Sequence, residues 1–129
     1  MHSQNVMHRD LKLENVMVDL ETNSRGQAEI IAKLTDFGFA CLLGEDRKAR
    51  TRLGTRLYMA PEVCRNEAYD CKIDVWSLGV IVYVMLAHKF PFPGNSKQDI
   101  TDRITSSRPP DMRPFDKFGH ANILKDFMA

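Results

Sequence analysis

The chain has 129 residues, 43% of them apolar, with 18 lysines and arginines against 17 aspartates and glutamates. That size supports one hydrophobic core rather than two, and a formal charge of +1 supplies no field that would draw the chain to nucleic acid or an anionic membrane. Three cysteines, Cys41, Cys64 and Cys71, with no CxxC spacing and no nearby histidine pair, support neither a disulfide framework nor a zinc site and fit free thiols in a reducing cytoplasm or nucleus.

The amino terminus is polar and has no apolar stretch of the secretory kind. Residues 5–7 and 16–18 are short apolar runs on either side of the polar segment HRDLKLEN, which reads as two short strands flanking a loop. Residues 19–29 are polar and turn-rich and 30–34 form a third extended run, so a hairpin with a long, mobile connection is expected. From 35 to 61 no period is sustained, which reads as a long loop of the functional kind.

Asp70 offers a cap for the apolar run at 75–87 (VWSLGVIVYVMLA), whose valines and isoleucines leave strand open while its length favours helix. A buried helix over about 71–88 is expected, because the run falls short of the roughly 20 residues that cross a bilayer. The segment FPFPG at 90–94 breaks it. Ser96 followed by Asp99 opens a short helix with Ile100 and Ile104 on one face, and Pro109, Pro110 and Pro114 mark an irregular stretch. Ile123, Leu124, Phe127 and Met128 then form a helical apolar stripe that stops in mid-pattern.

HRDLKLEN sets a carboxylate at Asp10, an ammonium at Lys12 and an amide at Asn15 close together, and Asp36 in TDFG and Glu62 in APE add two more carboxylates. Each is unremarkable alone; their order is the signal. His8 to Asn15, Asp36-Phe37-Gly38 and Ala60-Pro61-Glu62 resemble the signature set of the eukaryotic protein kinases. Gly54-Thr55 ahead of YMAPE, and DVWSLG at 74–79, are similar to two further blocks of that family. Lys12 with Thr55 resembles the serine/threonine branch, and the general wording resembles the calcium/calmodulin-dependent group. The resemblance implies an α+β fold, mostly α here, with residues 1–129 forming a partial kinase domain. That domain is the C-terminal lobe, with a catalytic loop at 8–15, an activation segment at 36–62, short strands around the catalytic loop and DFG segment, and the central helix.

It also implies ATP and Mg²⁺ as cofactors and a protein serine or threonine as substrate. Phosphoryl transfer needs positioning and charge neutralisation more than covalent chemistry. In that scheme Asp10 accepts or orients the proton of the substrate hydroxyl, Lys12 sits against the γ-phosphate, and Asn15 and Asp36 hold magnesium through oxygen. His8 and Phe37 match stacked residues of the regulatory spine, Gly38 completes the DFG block, and Asp74 matches the helix residue that anchors the catalytic loop. Met17 matches a position under the adenine, a role that core packing would explain equally well. Glu14 matches a contact to a basic substrate side chain, with a solvated loop carboxylate as the alternative. Thr51 stands where the family carries a regulatory phosphate, with Arg9 its partner and an upstream kinase its source. A solvated basic face formed by Arg47, Lys48, Arg50 and Arg52 beside Glu45 and Asp46 is the other reading.

Departures from the pattern shape the expectation. With nine residues before Asp10 there is no place for the glycine-rich loop, the strand lysine or the hinge, and Lys33 stands on the wrong side of the order to replace that lysine. The last helices of the lobe and the arginine that partners Glu62 are expected to be missing, and Arg56 stands where proline is common after Gly-Thr, next to a substrate pocket at Thr55. The expected function is ATP-dependent phosphorylation of protein serine or threonine by a longer parent, weak or absent in this stretch alone. The alternatives are a kinase-like binding module or decoy, or a truncated gene product.

Overall fold

The computed structural model describes residues 1–44, 48–106 and 108–116. The stripe at Ile123, Leu124, Phe127 and Met128, and the charged residues Glu45, Asp46 and Arg47, lie outside the described residues. Strand β1 (Val6–Met7) leads into the loop that ends in a 3₁₀ turn at Leu13–Asn15. Strands β2 (Val16–Thr22) and β3 (Ala28–Leu34) then form an antiparallel hairpin with Val16 opposite Leu34 and Thr22 opposite Ala28.

Both strands extend beyond the apolar runs, and the connection is short rather than long. Asn23 explains the difference: its Oδ1 accepts from the backbone N–H of Arg25 and of Gln27, both at 3.0 Å, while its carbonyl accepts from Gly26. Gly26 takes the left-handed conformation (φ 75°) that closes such a turn. The register places Val18, Leu20, Ile30 and Ala32 on one face of the hairpin, all exposed. The opposite face carries Met17, Asp19, Glu21 and Lys33, and Lys33 Nζ binds Glu21 at 2.9 Å and Asp19 at 3.1 Å.

The stretch expected to be one loop holds short elements. Strand β4 (Cys41–Leu42) pairs antiparallel with β1, Val6 opposite Leu42, so the chain beyond the turn at Phe37–Phe39 is sewn to the strand before the loop at 8–15. Ala49 and Tyr69 exchange both backbone hydrogen bonds, at 2.8 and 2.9 Å, and the Tyr69 hydroxyl donates to the Thr51 carbonyl at 2.5 Å. Helix α1 (Pro61–Cys64) starts on proline, whose fixed φ and missing N–H suit a first turn.

Helix α2 (Lys72–Ala87) has the expected bounds within a residue at each end. Asp70 Oδ1 accepts the Lys72 N–H at 2.9 Å, and the helix stops at His88, left-handed at φ 54°, before the prolines are reached. It is not buried all round: Ile73, Val80, Ile81 and Tyr83 are, while Val75, Leu78 and Met85 are exposed. No helix among the described residues is long and apolar enough to cross a membrane. Helix α3 (Lys97–Thr105) is capped by Ser96, whose Oγ accepts the Asp99 N–H at 3.0 Å, and Ile104 is its buried residue.

The core gathers where these pieces cross. Met7, Leu43, Met59, Val63, Tyr69, Ile73 and Ile104 form one cluster, joining β1, the stretch between β4 and α1, and all three helices. Leu11, Tyr58, Val80 and Ile81 form a second, which anchors the loop at 8–15 through Leu11. At roughly 1.5–3 kcal/mol for each large apolar side chain buried, these two clusters are what fix the loop in space. Tyr83 and Phe115, both fully buried with ring centroids 5.2 Å apart, clamp the far end of α2 to the 3₁₀ turn at Arg113–Phe115.

Candidate active site

Asp74, in the first turn of α2 and 2% exposed, is the peg on which the loop hangs. Its two oxygens accept the backbone N–H groups of His8 and Arg9, each at 2.9 Å, and His2 Nε2 lies 2.8 Å from Oδ2. Arg9 is held at φ 67°, a conformation that costs a non-glycine residue of order 1–3 kcal/mol. The buried carboxylate offsets that strain, and the turn it fixes aims the next residue, Asp10, inward. His8 is fully buried: Nε2 donates to the Thr35 carbonyl at 2.9 Å and Nδ1 accepts from the Asp10 N–H, which sets the neutral Nε2–H tautomer. The ring of Phe37 lies against it with centroids 4.9 Å apart.

Asp10 is 4% exposed, and both of its oxygens are engaged. Oδ1 accepts from the Thr55 N–H and the Thr55 hydroxyl, each at 2.8 Å, and Oδ2 accepts from Lys12 Nζ at 2.8 Å. Lys12 also reaches the Thr55 hydroxyl at 3.3 Å. Burial alone pushes the Asp10 carboxyl up, but the hydrogen bonds from Lys12 and Thr55 and the lysine's charge outweigh it, so Asp10 titrates below the usual carboxylate range. The Lys12 ammonium is pushed up, chiefly by its hydrogen bond to Asp10, against desolvation, with the charges of Asp10, Glu14 and Asp36 adding. At neutral pH the centre is therefore an ionised pair.

Gly54 brings Thr55 into place. It sits at φ 105°, and a β-carbon there would lie 2.6 Å from the Arg9 carbonyl oxygen, so the chain at Gly54 crosses the loop at Arg9 at a spacing that only glycine allows. Asn15 is buried and donates from Nδ2 to the Asp10 carbonyl at 2.9 Å, leaving its side-chain oxygen without a hydrogen bond among the described residues. The Thr35 N–H and hydroxyl both close on the Asn15 carbonyl, at 3.0 and 3.3 Å. This ties the chain leading from β3 to Asp36 to the end of the loop at 8–15. Asp36 itself is exposed and left-handed at φ 58°, with Oδ1 accepting the Gly38 N–H at 3.2 Å.

Oxygen donors are thus what this corner presents. Among the described residues no group of three or more histidine, cysteine, aspartate or glutamate side chains could hold a metal. One carboxylate and one amide oxygen suit a hard cation that keeps most of its ligands as water and phosphate, and magnesium fits that set.

The other sequence candidates fall further out. Met17 is 57% exposed on the polar face of the hairpin. Glu14 is exposed in the 3₁₀ turn beside Lys12. Arg9 Nε donates to the Phe39 carbonyl at 2.6 Å, and no hydrogen bond joins Arg9 to Thr51 among the described residues. Thr51 is exposed, held by its carbonyl to Tyr69. Glu62 is half-buried, and its carboxylate makes no hydrogen bond or ion pair among the described residues.

Two residues were missed as parts of the site. Thr35 had a signal, a threonine directly before the DFG aspartate at a strand end, while the close approach of Gly54 to Arg9 pairs positions 45 apart in the sequence and carries none.

Residues 1–122 match the protein kinase domain family. The serine/threonine-protein kinase dkf-2 of Caenorhabditis briggsae is 45% identical over 107 residues, covering 83% of this chain and 8% of that protein. Serine/threonine-protein kinase D3 of Mus musculus is 43% identical over 107 residues, again 83% of this chain and 11% of the relative. Serine/threonine-protein kinase ULK1 of Homo sapiens is 43% identical over 101 residues, 78% of this chain and 10% of the relative. The chain spans about a tenth of the length of the proteins it matches.

Proposed function

The chain belongs to the protein kinase family, and on that premise we propose that it forms the acceptor side of a serine/threonine kinase site that transfers the γ-phosphoryl group of ATP to a protein hydroxyl. The observation that carries this reading is the Asp10–Lys12–Thr55 cluster, with Asp10 buried and ionised. A carboxylate offers about four lone-pair sites. Thr55 takes two on Oδ1 and Lys12 one on Oδ2, so the site left for an incoming hydroxyl is on Oδ2, next to the ammonium.

A serine or threonine hydroxyl donating there is oriented with its lone pair away from Asp10, toward the phosphoryl group. Lys12 lies where it neutralises negative charge gathering on that group. With its titration lowered, Asp10 serves mainly as an orienting acceptor in the ground state and takes the proton only as the oxygen–phosphorus bond forms. Asp36 and Asn15 would hold magnesium, which supplies charge neutralisation to the phosphates when bound. The adenine role of Met17, the phosphate on Thr51 with Arg9 as partner and an upstream kinase as source, and the contact of Glu14 with a basic substrate residue belong to the same proposal. So do a place near the calcium/calmodulin-dependent group, a C-terminal-lobe position for the chain, and a cytoplasmic or nuclear location, which the free cysteines support.

The test is phosphate transfer from ATP to serine peptides by the intact protein that carries this chain. Asp10→Asn is expected to lower kcat at least about 100-fold, in line with losing a positioned acid–base group. Equal turnover by the variant would sink the reading.

A further inference from the structure

Around Cys64 stand three arginines that no carboxylate pairs among the described residues, one of them next to Thr55. Arg52 and Arg56 flank Gly54 and Thr55 in the activation segment, and Arg65 follows α1. None forms an ion pair among the described residues. Arg52 is exposed. Arg56 Nη1 donates to Thr101 Oγ1 on α3 at 2.7 Å, and Arg65 Nη2 donates to the Thr105 carbonyl at 2.9 Å, so neutral acceptors on one helix hold both guanidinium groups in place. Their charges overlap at Cys64: burial pushes that thiol up, Arg52, Arg56 and Arg65 all pull against it, and Glu62 opposes them. The patch is net positive and partly preorganised.

Geometry connects it to the chemistry. Thr55, bonded twice to Asp10, is the neighbour of Arg56, and adjacent α-carbons are about 3.8 Å apart. An extended peptide advances about 3.3–3.6 Å per residue, so a segment whose hydroxyl rests on Asp10 brings a side chain within reach of Arg56 one to three residues away. A guanidinium carries five donors in a planar fork. The bond to Thr101 uses one of them and leaves the rest for an oxyanion.

We infer that Arg56, backed by Arg52 and Arg65, selects acceptor segments that carry an aspartate, glutamate or phosphorylated side chain one to three residues from the accepting serine or threonine. The inference rests on the kinase reading for calling the segment an acceptor; the recognition of its negative charge stands on the arginines. Proline, which the family resemblance leads one to expect at position 56, would bring no charge there.

The experiment uses the intact protein that carries this chain, treated with phosphatase so that a phosphate on its own Thr51 does not compete for the arginines. Fluorescence anisotropy gives the affinity for three labelled serine peptides whose flanking positions hold aspartate, alanine or lysine, and transfer from ATP to the same peptides is measured separately. The aspartate peptide is expected to bind about tenfold more tightly than the alanine one, the worth of one charge-assisted pair. Arg56→Gln, which removes the charge and keeps a polar side chain, is expected to bring the ratio to within about twofold, and Arg56→Glu to reverse the order in favour of lysine. Equal affinities for the three peptides, or a preference that survives in the Arg52→Gln/Arg56→Gln double variant, would overturn the inference whatever the turnover. An aspartate preference without any phosphate transfer would instead uphold the recognition and overturn the kinase reading.

Discussion

Thr55 closes on a single oxygen of Asp10 with two donors, its backbone N–H and its hydroxyl, each at 2.8 Å. The segment that carries Thr55 is thereby part of the charge state of the loop that carries Asp10, because the two hydrogen bonds help hold Asp10 ionised in a place where burial disfavours it.

Thr55→Val keeps the N–H and removes the hydroxyl. The Asp10 titration is expected to move up toward its ordinary value, so the acid limb of the pH profile of kcat/KM moves to higher pH, with activity at neutral pH lower by about tenfold for the loss of one charge-assisted hydrogen bond. An acid limb that stays in place would separate Thr55 from the titration of Asp10.

The same cluster couples pH to folding. Asp10 titrates lower in the fold than in the unfolded chain, so its contribution is present above the ordinary carboxylate value of 3.8 and is lost as pH falls through the folded value. Lys12 is raised, so its contribution is complete below 10.5 and is lost as pH climbs through the folded value. Urea midpoints of the wild type and Asp10→Asn are expected to differ by a constant amount across the neutral plateau and to converge as the medium becomes acidic; parallel curves down to pH 2 would contradict the linkage.

Gly54→Ala forces a β-carbon against the Arg9 carbonyl at a backbone angle that alanine avoids. The strain alone is about 1–3 kcal/mol. A lower denaturation midpoint together with a raised KM for peptide is expected, since Thr55 is displaced from Asp10; unchanged values of both would show that the segment can move aside freely.

Asp74→Ala leaves the His8 and Arg9 N–H groups buried without an acceptor. At about 1–3 kcal/mol for each orphaned donor, a loss of about 2–6 kcal/mol in chemical denaturation is expected, and Asp74→Asn, with one remaining oxygen acceptor, is expected to recover part of it.

Ser96→Ala tests local energetics far from Asp10. Losing the hydroxyl that caps α3 is expected to cost about 1 kcal/mol in thermal or urea denaturation.

The site was legible because its chemistry is written in order along the chain: Asp10, Lys12, Asn15 and Asp36 each lie in a contiguous block, and a block survives reading in one dimension. The relations that bind those blocks together are not local. The two-residue pairing of β1 with β4, the bridge from Thr35 to Asn15 and the crossing of Gly54 over Arg9 are fixed by tertiary packing. Helix bounds were readable at α2 and α3 because Asp70 and Ser96 carry their own capping chemistry. The hairpin turn was misjudged because a polar run such as 19–29 looks the same whether it is loose or, as here, extended strand closed by one asparagine.

Ala49 and Tyr69 carry the remaining consequence. Each amide hydrogen is shielded by the other residue's carbonyl, and the Tyr69 hydroxyl holds Thr51 two residues further on. Any event that lifts this end of the segment uncovers both amides in one step, so their deuterium uptake follows a single clock. Two positions 20 residues apart thus give a paired timer for how often the segment lets go, readable without ATP, peptide or turnover.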